Sequence, residues 1–97
     1  VKTKDGVDFD AFYSHWLNVH VPNIRSVMAE VGGFRYVVSH SIEPQVEAYA
    51  GMAELYFHAA ADWAEFGKAI QPDGMEQWVD GGATLVLAAR TEMIGIP

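Results

Sequence analysis

The chain has 97 residues, of which 51 % are hydrophobic and 20 % charged. That is room for one domain of globular composition, and it excludes disorder over most of the length. It contains no cysteine, so no disulfide staples the fold and no thiolate holds a metal. Thirteen acids against six bases leave a net charge of −7, which argues against nucleic acid and against an anionic membrane surface as partners.

Val1–Lys4 reads as the end of a strand, closed by a turn at Asp5-Gly6. Asp8 stands where a helix N-cap belongs, with Asp10 in the first turn to complement the helix dipole. Phe9, Phe12, Tyr13, Trp16 and His20 then recur at helical spacing on one face, opposite Ala11, Ser14, His15 and Asn18. On an α-helical wheel His15 lies about 140° from His20, which assigns it to the solvent face. Pro22 cannot donate to the carbonyl of Asn18, so this helix is expected to end or kink near His20–Val21 and to resume over Asn23–Ala29. Gly32-Gly33 stops it.

Phe34–Ile42 alternates as a strand, with Phe34, Tyr36, Val38 and His40 on one face and Arg35, Val37, Ser39 and Ser41 on the other. A polar loop over residues 43–50 leads to a second strand, Met52–His58. A helix opens within Ala60–Asp62, with Asp62 and Glu65 as a candidate capping box and Trp63, Phe66 and Ile70 as its buried stripe. Pro72-Asp73-Gly74 breaks that helix, and Met75–Val79 forms one short helical turn. Ala83–Glu92, apolar on both faces, reads as a last, covered strand. The order is (β)αββαβ with the leading strand cut short: an α+β, ferredoxin-like subunit in one domain over residues 1–97, with two helices on one face of an antiparallel sheet. The apolar outer face of such a sheet needs a cover, and a second copy of the chain is the simplest one. No apolar run approaches the roughly 20 residues needed to cross a bilayer and no signal peptide is visible, so the cytoplasm is the expected location.

The pattern Phe12-x-x-x-Trp16-x-x-x-His20-x-Pro22, followed by a glycine pair and Phe34-Arg35-Tyr36, resembles the EthD family of dimeric α/β-barrel proteins. The resemblance continues through Ala53-Glu54-Leu55-Tyr56-Phe57, the Trp63–Ile70 helix and the Trp78 turn. It implies a homodimer joined through the sheet face and a pocket between sheet and helices. It also implies chemistry on small cyclic, aromatic or lactone-like compounds, because relatives in the superfamily include lactone isomerases, polyketide cyclases, dehydratases and cofactor-free oxygenases. Fold-level likeness names no reaction, so the argument rests on the site.

His20 is the first candidate, since a positioned imidazole takes and returns a proton near neutral pH; an imidazole before a proline also serves simply to bond a freed carbonyl. A histidine aligned with it in lactone-isomerase relatives looks catalytic. Tyr36, which matches a tyrosine of those relatives, and His40 share one strand face; Tyr36 is a candidate donor to a developing oxyanion if that face looks toward the helices. Trp16, Tyr13, Tyr56 and Trp78 supply aromatic surface for a flat ring, and Asn23 an amide for a carbonyl, although such stripes are more often core. Glu54 and His58 share a strand face but read as solvated polar groups. No cluster has metal-ligand spacing and no glycine-rich phosphate loop is present, so neither metal nor cofactor is expected. The function expected from these residues is cofactor-free acid–base catalysis of the isomerase, cyclase or dehydratase type. A hydrophobic-ligand-binding accessory protein and a cofactor-free oxygenase are the alternatives.

Overall fold

The computed structural model describes residues 1–96. Its first helical segment starts where Asp8 accepts a hydrogen bond from the Ala11 amide at 3.2 Å. It runs as α1 (Phe9–His15), a π-helical turn (Trp16–His20) and α2 (Val21–Glu30) without a break. The expected interruption at His20–Val21 does not occur. Instead the Val21 amide reaches back five residues to the Trp16 carbonyl, and Pro22 falls in the first turn of a new α register. There its missing amide costs nothing. Such a turn takes in one extra residue, so everything after it is displaced by about 100° relative to an unbroken α-helix. The displacement keeps Ile24 and Met28 on the same buried stripe as Phe12 and Trp16.

Strand β1 (Gly33–His40) pairs antiparallel with β2 (Gly51–Phe57). Residues directly opposite share a face, so Tyr36, Val38 and His40 lie with Ala53 and Leu55 toward the helices. Arg35, Val37 and Ser39 lie with Met52, Glu54 and Tyr56 on the outer face. An irregularity between Gly33 and Arg35 takes Phe34 out of the expected alternation. It leaves the Tyr36 set and packs against Tyr56 and His58 instead.

Helix α3 (Ala60–Ala69) has Ala59 at its N-cap with no side-chain cap, so the expected Asp62–Glu65 box does not form. Glu65 bonds Lys68 at 3.2 Å instead. A 3₁₀ turn, Met75–Gln77, follows the Pro72-Asp73-Gly74 break. The segment Val1–Lys4 lies between the start of β2 and residues 78–80: the Ala50 amide bonds the Val1 carbonyl, and Lys4 and Trp78 meet at 2.8 Å. Ala83–Glu92 is not a strand. After a turn anchored on Asp80 it runs without regular structure, and Leu87 is 87 % exposed. A strand exists only beside a neighbour that takes its backbone hydrogen bonds, and no strand lies beside this one among the described residues.

What results is a small α+β fold, helices over one face of a two-stranded antiparallel sheet, compatible with a ferredoxin-like arrangement. Two clusters make the core. Phe12, Trp16 and Ala50 form one, with Tyr13, Val38, Trp78 and Val79 packed around them. Ile24, Met28 and Phe66 form the other, with Tyr36, Leu55, Phe57 and Ile70. No helix among the described residues is long and apolar enough to cross a membrane.

Candidate functional site

The π turn ends on His20, whose Nδ1 lies 2.6 Å from Oδ2 of Asp73 in the loop after α3. An ionised carboxylate only accepts, so Nδ1 carries the proton and donates it to Asp73. That leaves the lone pair of a neutral His20 ring on Nε2, for which no partner exists among the described residues. The histidine side chain is 25 % exposed and that of Asp73 11 %, so the ring is partly open to solvent while the carboxylate that holds it is sheltered.

Asp73 is held from several directions. Asn23 Nδ2 donates to Oδ2 at 2.8 Å and to the Gln71 carbonyl at 2.9 Å. Oδ1 accepts from the Met75 amide at 3.4 Å, an Asx-type turn that fixes the carboxylate plane. Burial alone would raise its pKa. The hydrogen bonds from Asn23 and His20, the attraction of His20 and the Met75 amide outweigh that and hold it below the usual carboxylate range. His15 reaches the same loop: its Nε2 donates to the Asp73 carbonyl at 2.8 Å, and its ring lies 4.7 Å from that of Trp78. The solvent-face assignment of His15 therefore fails, because with the π turn between them His15 and His20 stand only about 40° apart.

Tyr36 and His40 both face the helices, which resolves the face left open by the alternation. The Tyr36 hydroxyl is buried without a hydrogen-bond partner. Burial pushes its pKa up, the neighbouring Trp16 N–H pulls it down, and the Asp73 charge pushes it up again; the net rise keeps it a protonated donor at neutral pH. His40 stacks on Tyr13 at 4.0 Å between ring centroids and lies 4.7 Å from Trp16. Burial lowers its pKa, and its Nε2 has no partner.

The aromatic residues expected to hold a flat ring are differently employed. Trp16 is 1 % exposed, with Phe12, Tyr13 and His40 against its ring. Tyr13 donates its hydroxyl to the Ala50 carbonyl at 2.6 Å. Trp78 packs on Phe12 and His15. Tyr56 lies on the outer face, bonded to Glu54 at 2.9 Å, so the sheet separates it from His20. The cluster that the fold does assemble is His20, Asp73 and Asn23, with the Tyr36 hydroxyl within range of the Asp73 charge. Asp73 is the member that sequence reasoning missed; its only signal was a Pro-Asp-Gly turn, read as a helix breaker.

Two concavities open elsewhere. One of about 330 Å³ is lined by residues including Phe9, Tyr13, Ile42 and Asp10, and one of about 240 Å³ by His40, Tyr49 and Met52 among others. No group of three or more histidine or carboxylate side chains suited to a metal ion occurs among the described residues.

The model of the EthD domain matches residues 4–86. That is most of the chain, and the protein belongs to the EthD family. No curated protein and no solved structure matches it.

Proposed function

We propose that this EthD-family chain is an acid–base enzyme that needs no cofactor and rearranges or eliminates on a small cyclic compound. The observation that carries the reading is the 2.6 Å contact between His20 Nδ1 and Asp73, which fixes the tautomer with the basic nitrogen outward. His20 Nε2 takes a proton from carbon next to a carbonyl. Tyr36 donates to the oxygen on which the charge develops, and His20 returns the proton to another carbon or to a leaving oxygen. The first outcome is an isomerisation, the second a dehydration. A ring closes when the carbanion instead attacks a second carbonyl carbon of the same molecule and His20 returns the proton to the alkoxide that forms. Asp73 touches no substrate in this scheme; it orients the imidazole and favours the imidazolium that forms. The chain works as a homodimer joined through the outer sheet face, where Phe34 and Met52 are exposed and a cover is needed.

The test is a turnover screen over cyclic enones, lactones and hydroxylated polyketide-like rings with the wild type and His20→Gln. The expected loss is about 10²- to 10⁴-fold in kcat, with Asp73→Asn giving a smaller loss. Equal turnover by wild type and His20→Gln would refute the reading. A second reading, a protein that binds a hydrophobic intermediate without converting it, is favoured by the concavity beside Phe9, Tyr13 and Ile42, which is remote from His20. It expects ligand affinity to survive His20→Gln unchanged and ligand protection at Phe9 rather than at His20.

A further inference from the structure

We infer that Asn23 is a positioning residue: by bridging Asp73 Oδ2 and the Gln71 carbonyl it holds the carboxylate where His20 keeps its proton on Nδ1. The inference rests on the acid–base reading for the use of the outward Nε2, but the tautomer it concerns belongs to the protein without a ligand. Asn23 Nδ2 lies 2.8 Å from Oδ2 and 2.9 Å from the carbonyl oxygen. Both partners accept, so the amide can stand only one way round, with its two hydrogens spent and its oxygen turned from the pair. Asn23 is three residues beyond His20, where the helix is α again over Val21–Glu30. The two side chains are therefore about 60° apart and neighbours on one face.

Asp73 needs such a strut. The outer torsion of an aspartate is broad and two-fold, so the carboxylate plane has to be fixed from outside. Oδ1 is supported by the Met75 amide at 3.4 Å, longer than an ordinary N–H···O bond. Oδ2 receives His20 at 2.6 Å and Asn23, and the contact to His20 cannot both place the carboxylate and be placed by it. Asn23 is the short contact that remains. The hydrogen bonds of the ring decide which imidazole nitrogen carries the proton. A carboxylate free to swing lets Nε2 take a share of that proton, and a protonated Nε2 has no lone pair to offer. The loop itself does not depend on Asn23 alone. His15 donates to the Asp73 carbonyl at 2.8 Å, and a Cβ at Gly74, whose φ is +93°, would stand 3.3 Å from His15 Cε1. The backbone there closes directly onto the His15 ring, so removing the Asn23 amide frees the carboxylate before it frees the loop. An uncharged donor also suits the role. A cation at position 23 would grip the carboxylate as firmly but repel the imidazolium that forms when His20 takes up a proton.

The experiment is nitrogen NMR of the imidazole rings in the full chain, without ligand and at mildly alkaline pH, where an ordinary imidazole is neutral. His20→Gln identifies the His20 signals by their loss, and the indole N–H signals of the three tryptophans report that each variant is folded. In the wild type the protonated Nδ1 and the bare Nε2 of His20 should resonate far apart. Asn23→Leu, similar in shape but without a donor, should shrink that separation to about half or less as both nitrogens share the proton. Asn23→Ala should do the same, so the result does not hang on how a leucine packs. His15→Phe, which loosens the loop backbone and leaves the Asn23 bridge, should keep the separation. An undiminished separation in the Asn23 variants would overturn the proposal, and so would an equal loss in His15→Phe, which would reduce Asn23 to a loop anchor. If Asn23 moves the tautomer while wild type and His20→Gln turn over equally, this inference stands and the acid–base reading falls. If His20→Gln abolishes turnover while the Asn23 variants leave the tautomer in place, the reverse holds.

Discussion

The two core clusters lie under the same sheet and were built by opposite rules. Around Ile24, Met28 and Phe66 the buried atoms are almost all hydrocarbon, with Leu55, Phe57 and Ile70 closing the cluster. Around Phe12, Trp16 and Ala50 the packing is aromatic and carries polar edges, two of which, Trp16 Nε1 and His40 Nε2, have no partner. The Tyr36 hydroxyl, at the margin of the first cluster, is also without a partner among the described residues. A core that only had to hold the chain together would gain from being hydrocarbon throughout, since unpaired buried polar atoms cost free energy. The hydrocarbon cluster is thus built for stability, whereas the aromatic one keeps buried polar edges at a cost in free energy.

The most severe way to break that contrast is Phe66→Ala. It should cost about 3–5 kcal/mol, read as a lower urea midpoint, while any remaining folded protein keeps the His20–Asp73 contact and its ligand response. Gly51→Ala acts on the other cluster. A Cβ there would collide with the Ser39 carbonyl oxygen and lie 3.0 Å from the Trp16 ring, so an overpacking cost of about 1–3 kcal/mol is expected, with the Trp16 indole signal displaced. If Gly51→Ala left that signal in place, the ring would not be seated as described.

Two pH experiments sharpen the contrast with smaller effects. Asp73 is held below the usual carboxylate range in the folded state. Its contribution is therefore present in full above the unfolded pKa of about 3.9 and is lost as pH falls through the lower folded value. Asp73→Asn should flatten the acid limb of a stability profile below about pH 4, whereas Phe66→Ala should shift the whole profile without changing its shape. For His40, burial lowers the folded pKa, so the unfolded chain binds the proton more readily. Stability should decline as pH falls from about 6.5 toward the folded value. His40→Phe should remove that part of the slope, and an unchanged slope would show that the ring is not desolvated.

Much of this was legible in the residues. Asp8 marks the first helix, the alternation of β1 and β2 sorts Tyr36, Val38 and His40 from Arg35 and Val37, and the aromatic spacing from Phe12 points at His20. What escaped has physical causes. Asp73 is 53 residues from His20 in sequence, and nothing in a Pro-Asp-Gly turn announces that one carboxylate oxygen serves the turn while the other is left for a histidine. Phe34 broke the alternation because an irregularity in pairing is invisible to a period of two. Ala83–Glu92 has every local trait of a strand, but strand character belongs to a pair of chains and no single segment carries it. His15 was misplaced because the wheel assumes one uniform period through a helix that has two.

That last point makes chain length, more than side-chain identity, the sensitive variable of the site. Between Trp16 and Ile24 the helix contains one residue more than an α register allows, and the surplus is what lets it accept Pro22 while both imidazoles face one loop. Substitutions along Leu17–Val19, whose side chains are exposed, leave that count intact and so leave the site standing. A single-residue deletion there would place the proline inside an unbroken α-helix, and a single insertion would turn His20 by about another 100° away from the loop that His15 faces. Among variants of this segment the informative boundary is between substitutions and indels: drift in composition is neutral, and a change of one in length is not.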